Sequence, residues 1–456
     1  MAKALFCVAL AASAGCATTA AKQAAFSVPA QSHTLANGLK VVLSPDHTAP
    51  TATVALYYNI GFRLEPKGRT GFAHLFEHLM FQGSKNLGKL EYIKLVQASG
   101  GVLNGSTRLD YTNFYATVPA AALERTLWAE ADRMKGLQIT AENLKNQQDV
   151  VKNEVRVNVL NRPYGGFPWL WMPQVANSRW ENAHNFYGDL TDIDAATLED
   201  ASAFFSAWYR PGNAALAVVG DFEPAEALAW VHKYFDGVEA GPTPKLPDVT
   251  EPRQEAERRQ VRVDALAQRP ALAFAYHLPP PETPEYLAML MVDFLLANGR
   301  DSALHEALVQ KHGFTAGVSS AIHQLGTPFN VEGPETWQVW LIHDPDKTPD
   351  EILAASEVEI GKLRDAPVDA AAFARARTKA RSWLYDLFEA GNGFGRADLL
   401  ASYALFRGAP EKVNDLEARL LAVTPELLQK TARDYLRPEA RTVLVWQAGA
   451  GKGGAK

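Results

Sequence analysis

His74-Leu75-Phe76-Glu77-His78, read together with Glu154 far downstream, decides how this chain is understood. On a helix, side chains four residues apart stack on one face, so His74 and His78 stand one turn apart. Two neutral imidazoles at that spacing can grip one zinc ion at about 2.0–2.1 Å each. Glu77 lies on the same side, where it can reach a water and take its proton. A metal site that does chemistry needs a third protein ligand and one position left for solvent. Two surface histidines beside a helical Glu is the plain alternative, and a five-residue match alone does not exclude it.

The candidate third ligand is Glu154, in Asp149-Val150-Val151-Lys152-Asn153-Glu154-Val155-Arg156. Thr140 can cap a long helix here that runs through Asn161, with Glu142 in its first turn. Gln147, Val151, Glu154 and Asn158 then fall on one stripe. On pattern alone, a lone Glu between Val151 and Val155 is an ordinary solvated residue.

The chain's 456 residues suggest two to three domains. With 47% hydrophobic and 21% charged residues it has ample material for a core. A formal net charge of −6 and the lack of a basic run argue against a nucleic-acid partner. Both cysteines, Cys7 and Cys16, lie in the amino-terminal segment, so the body has no disulfide, no thiol nucleophile and no Cys-ligated zinc. That segment, residues 1–25, reads as an export signal: Lys3 gives a positive charge and Ala4 to Ala14 is a short apolar run. Ser13-Ala14-Gly15-Cys16 resembles a bacterial lipoprotein box with Ser13 in place of the usual Leu. Cys16 is therefore either a lipid-anchored residue at the outer membrane or part of a signal removed from a free periplasmic protein.

From Phe26 the pattern is α+β. Thr51–Tyr58 and Asp110–Val118 read as strands, Ala120–Met134 as a helix, Leu198–Trp208 as a helix capped by Thr197, and Asn213–Gly220 as a buried strand. A Pro- and charge-rich stretch, residues 241–259, reads as a linker between a metal-bearing domain (26–240) and a second domain (260–447), with a disordered tail at 448–456. Trp208-Tyr209-Arg210-Pro211 before one strand is echoed by Tyr435-Leu436-Arg437-Pro438 before another, and Thr51–Tyr58 is echoed by Ala271–His277. Two similar halves are expected, each a mainly antiparallel sheet backed by helices. Only the first holds the H-x-x-E-H pattern.

This order inverts the H-E-x-x-H zinc peptidase signature and is the inverzincin motif. The chain resembles the pitrilysin/insulinase family of inverted zinc peptidases, in its half-size bacterial and mitochondrial-processing-type branch. The resemblance rests on His74, Glu77, His78 and Asn153-Glu154. It also rests on Gly100-Gly101-Val102-Leu103-Asn104-Gly105-Ser106-Thr107, on Asp110, Thr112 and Tyr115, and on segments from Tyr187-Gly188 through Val219-Gly220-Asp221. It implies one Zn2+ per chain on His74, His78 and Glu154, with Glu77 as general base. It further implies an edge strand at Gly100–Thr107 that pairs with peptide substrates, with Asn104, Gly105, Thr107 and Tyr115 as substrate-binding residues. Asn104 as a turn residue and Tyr115 as a core aromatic are the plain alternatives.

Two departures stand out. The family often has a Glu seven residues before the ligand Glu, where this chain has Gln147, which can still hydrogen-bond a ligand histidine. Active members also carry an Arg and a Tyr in the second half, where Val309 and Ala316 stand here. The resemblance then implies a heterodimer, in which a homologous partner subunit supplies Arg and Tyr. The alternatives are that a nearby residue, Lys311 or His312, substitutes for the pair, and that the assembly is a homodimer. Beyond the motifs, Trp169, Trp171 and His184 either line a substrate chamber or pack, and Arg63 and Glu65 form an ion pair or cap before the motif helix.

Overall fold

The computed structural model describes residues 27–241, 244–391 and 393–449. The export segment expected at residues 1–25 lies outside the described residues. So does most of the expected tail, although the last strand itself runs to Ala448.

Among the described residues, eleven strands form two sheets. The first contains β1 (Gln31–Thr34), β2 (Lys40–Pro45), β3 (Thr51–Tyr58), β4 (Val102–Thr107), β5 (Thr112–Pro119) and β6 (Ala214–Gly220), in the order β1-β2-β6-β3-β5-β4. The second contains β7 (Arg258–Asp264), β8 (Ala271–His277), β9 (Ser319–Ile322), β10 (Thr336–Ile342) and β11 (Arg441–Ala448), in the order β7-β11-β8-β10-β9. β2 pairs β6 in parallel and β7 pairs β11 in parallel, and every other pairing is antiparallel. Removing β1 makes the two orders superimposable, β2-β6-β3-β5-β4 on β7-β11-β8-β10-β9. The α+β fold with two matching halves follows the repeat read from the sequence.

The sequence pattern does not show how the halves cover each other. β3 is apolar at nearly every position because both of its faces are buried. Val54, Leu56 and Tyr58 face the first half's own helices, whereas Ala55 and Tyr57 face a cluster that contains the helix Phe394–Arg407 of the second half. In return, residues of the segment Tyr164–Met172 pack on Ala271, Ala273, Ala275, Leu444 and Trp446 of the second sheet.

Polar contacts lock this exchange. Arg63, 2% exposed, donates to Asp110 Oδ1 at 2.7 Å and to the Pro334 carbonyl at 2.7 Å. Asp110 Oδ2 also accepts from the Glu332 and Gly333 amides at 2.9 and 3.3 Å. A Cβ on Gly333 would stand 1.9 Å from Arg63 Nη1, so a larger residue there would have to displace the guanidinium from this clamp. Arg63→Ala leaves Asp110 buried without its cation. A loss of about 3–5 kcal/mol is expected, read as a lowered urea midpoint.

Among the described residues, no helix is long and apolar enough to cross a membrane.

Candidate metal centre

The motif forms the helix Phe72–Leu79. The short helix starts where Glu65 caps it, with Oε2 accepting from the Gly71 amide at 2.8 Å and Oε1 from the Ala73 amide at 2.7 Å. Glu65 is thus the expected cap, while Arg63 turns to Asp110 instead. Phe72, Leu75, Phe76 and Leu79 are buried in the core of the first half, which fixes the opposite face toward the site.

The helix Ala141–Val155 packs across the motif helix. Thr140 caps it by accepting from the Asn143 amide. Its continuation, Arg156–Leu160, widens into a π-turn that starts two residues after Glu154.

This crossing brings His74, His78 and Glu154 together, with one ligand atom of each within 4.8 Å of the others. His78 Nε2 lies 3.3 Å from Glu154 Oε2, and His74 Nε2 lies 3.7 Å from Glu154 Oε1. Ligands about 2.0–2.1 Å from one tetrahedral zinc stand roughly 3.3–3.4 Å apart, so the spacing suits such an ion. Among the described residues no fourth His, Cys, Asp or Glu joins the set. The donors, two imidazoles and a carboxylate, are a set zinc accepts.

The two imidazoles differ in their affinity for protons. Burial, helped by the nearby His78, pulls the His74 imidazole down to about 4, so it is neutral at ordinary pH. His78 feels burial most strongly, but its hydrogen bond to Glu154 and the charges of Glu77 and Glu154 outweigh this and raise its pKa. The same hydrogen bond holds Glu154 below the ordinary glutamate range. Gln147 stands near the His78 imidazole and helps raise its pKa. Its Nε2 is engaged with Asn146 at 2.7 Å, which leaves the amide oxygen to accept.

Glu77 lies beside this group. Its Oε2 accepts from the Thr107 hydroxyl at 2.7 Å. Burial raises the Glu77 pKa, against the opposing pull of that hydrogen bond and of the His78 and Arg108 charges.

Pleat parity divides the four expected substrate-binding residues. β4 is an edge strand paired only to β5, with Gly105 opposite Phe114 and Asn104 opposite Tyr115. Gly105 and Thr107 therefore share the face that meets the motif helix. Asn104 is exposed on the other face and its side chain accepts from the Gly105 amide at 2.9 Å. Tyr115 is not brought to the site: its ring stacks on Phe394 of the second half, centroids 3.7 Å apart.

Lys311 and His312 are exposed, the His312 ring stacked on Phe314. Ala316 lines a cavity of about 620 Å3 together with Tyr164 and Trp340. His184 stacks on Trp180, and Trp171 donates to the Gly165 carbonyl and carries Arg262 on its face. Tyr187 joins this group as a residue whose role no sequence pattern announces. Its hydroxyl donates to Glu154 Oε1 at 3.4 Å, and burial pushes its pKa up to about 12, so it remains a donor. A loop residue 33 positions away carries no periodic signal that could have announced this contact.

Comparisons with known proteins show similarity along most of the chain. A family model described as "Insulinase (Peptidase family M16)" matches residues 40–163, and one described as "Peptidase M16 inactive domain" matches residues 195–380. Zinc protease PqqE of Helicobacter pylori is 30% identical over 313 residues, 65% of this chain and 67% of that protein. The mitochondrial-processing peptidase subunit beta of Bos taurus is 23% identical over 437 residues, 93% of this chain and 86% of that protein. The crystal structure of a protease from Helicobacter pylori matches with a TM-score of 0.84 at 25% identity, covering 92% of this chain and all of that one.

Proposed function

The chain belongs to the insulinase family of peptidases, family M16, and from that premise we propose that it is a zinc endopeptidase acting on short or unfolded peptides. The observation that carries this is the convergence of His74, His78 and Glu154 with Glu77 beside them. His74, His78 and Glu154 would hold one zinc, and when bound it supplies a Lewis acid that polarises a carbonyl and acidifies water. Glu77 takes the proton of the attacking water. Burial raises the affinity of the Glu77 carboxylate for that proton, and the Thr107 hydroxyl keeps the group aimed while it passes the proton to the leaving amine. Gln147 stands near the His78 ring and helps raise its pKa. β4 offers an unpaired edge along which an extended peptide can add as a further strand.

The division of labour between halves is part of this proposal: the first half holds metal and base, and the second is a companion without a metal site. Val309 and Ala316 stand where the family implies Arg and Tyr, which supports a homologous partner subunit that supplies both. The purified chain alone is then expected to cleave an unstructured fluorogenic peptide far more slowly than the chain mixed with such a partner. Full turnover as a monomer or homodimer would refute the heterodimer.

A non-catalytic scaffold or peptide-binding module is the second reading, favoured by the match of residues 195–380 to a domain described as inactive. It requires that zinc and partner together restore no cleavage. The amino-terminal segment supports export to the periplasm, with Cys16 either lipidated or removed, and the mass of the mature protein decides between them.

Metal uptake should depend on pH in a defined sense. The His78 pKa is raised above its usual 6.5, so below that raised value a proton competes with the ion. Zinc affinity is expected to fall about tenfold per pH unit there, as one proton is displaced. His74, pulled down to about 4, adds a second proton only near that pH. Titration against a zinc chelator between pH 5 and 8 reads the slope.

A further inference from the structure

The two imidazoles and the carboxylate come from two helices that are far apart in sequence. A weak metal site results if those helices slide, so something must fix Glu154 relative to the motif helix. Tyr187 is placed to do so, and its backbone belongs to the motif helix's start. Gly188 has φ +79°, and a Cβ there would stand 2.3 Å from the Gly71 amide nitrogen. A Cβ on Gly71 would in turn meet the Tyr187 carbonyl oxygen at 2.7 Å. The turn is closed by Asn185, whose carbonyl accepts from the Gly188 amide at 2.7 Å and whose Oδ1 accepts from the Tyr187 amide at 3.1 Å. The Asp189 amide donates to Thr70 Oγ1 at 2.8 Å, directly before the helix. The Tyr187 residue therefore moves with the helix that carries the histidines.

Its side chain faces the other helix. The Tyr187 ring stands edge-on to His74 with centroids 5.3 Å apart, and packs against Trp169 at 5.6 Å. The hydroxyl donates to Glu154 Oε1 at 3.4 Å. Asn158, on the π-turn that follows Glu154, is a neighbouring side chain that lowers the Tyr187 pKa against burial.

We propose that Tyr187 is a positioning residue that ties the carboxylate of Glu154 to the helix of His74 and His78. Its hydroxyl holds Oε1 and sets the rotation of the carboxylate. The inference rests on the zinc reading above. It concerns the geometry that holds the ion rather than the reaction.

Tyr187→Phe removes the oxygen and keeps the ring. Zinc affinity, measured by competition with a chromogenic chelator on the full chain, is expected to weaken at least about 10-fold, the lower end for loss of a partner behind a metal ligand. The metal-free melting temperature should not change. At saturating zinc, kcat should fall while KM stays. An affinity for Tyr187→Phe within twofold of the unmodified chain overturns the proposal, and so does a lowered melting temperature with unchanged affinity, the mark of packing alone. If the unmodified chain takes up no zinc at all, the zinc reading itself fails and the brace falls with it, a different result from equal binding by both proteins.

Discussion

Glu77→Gln is expected to lower peptide hydrolysis by roughly 10²–10⁴-fold, the range for a positioned general base, while the chain still binds one zinc. The substitution is nearly isosteric. It leaves the Thr107 hydroxyl an oxygen to donate to, so the motif helix and the edge strand keep their relation. What disappears is the ability to take a proton. The measurement pairs kcat/KM on an unstructured peptide, with any partner subunit present, with zinc content after gel filtration. Retained cleavage would remove Glu77 from the base role. Lost zinc would mean that Glu77 is a ligand.

The second large effect is expected at Glu154. Glu154→Gln replaces an anionic donor by an amide, and Glu154→Ala removes the donor altogether. Zinc affinity should fall by more than the roughly 10–100-fold that follows loss of a partner behind a ligand, because a bond to the ion itself is lost. Activity should fall with it. Added zinc should restore part of the activity of Glu154→Gln and none of that of Glu77→Gln. This contrast separates the two carboxylates, which lie in one site and are both partly buried, by what each does. Equal zinc content in Glu154→Ala and the unmodified chain would show that the ion, if bound, sits elsewhere.

How much of this could be read from the sequence differs by residue. The motif helix was legible because a four-residue spacing maps directly onto one helical face, and Thr140 and Thr197 were legible as caps because their hydroxyls serve the amides three residues on. The repeat was legible in Trp208–Pro211 and Tyr435–Pro438, which precede β6 and β11, strands of equivalent place in the two sheets. Glu154 came into view only through resemblance, since its helix pattern is that of any surface glutamate.

Other features depend on tertiary arrangement that no local pattern encodes. The burial of Tyr115 against Phe394 needs the register of β5 and the docking of a helix nearly three hundred residues later. The clamp of Arg63 on Asp110 and Pro334 needs both halves in place. The hydroxyl of Tyr187 reaches Glu154 through a loop whose shape is set by glycines packed against the start of the motif helix. Periodicity reports which face of an element is buried; it does not report what that face meets.

The most direct measurement is anomalous diffraction at the zinc edge from crystals of the zinc-loaded chain. The account predicts a single peak about 2.0–2.2 Å from one nitrogen each of His74 and His78 and from a carboxylate oxygen of Glu154, with no fourth protein ligand. A peak away from these three side chains, a peak closed by a fourth protein ligand, or a loaded crystal in which Glu154 points away from the imidazoles would contradict it.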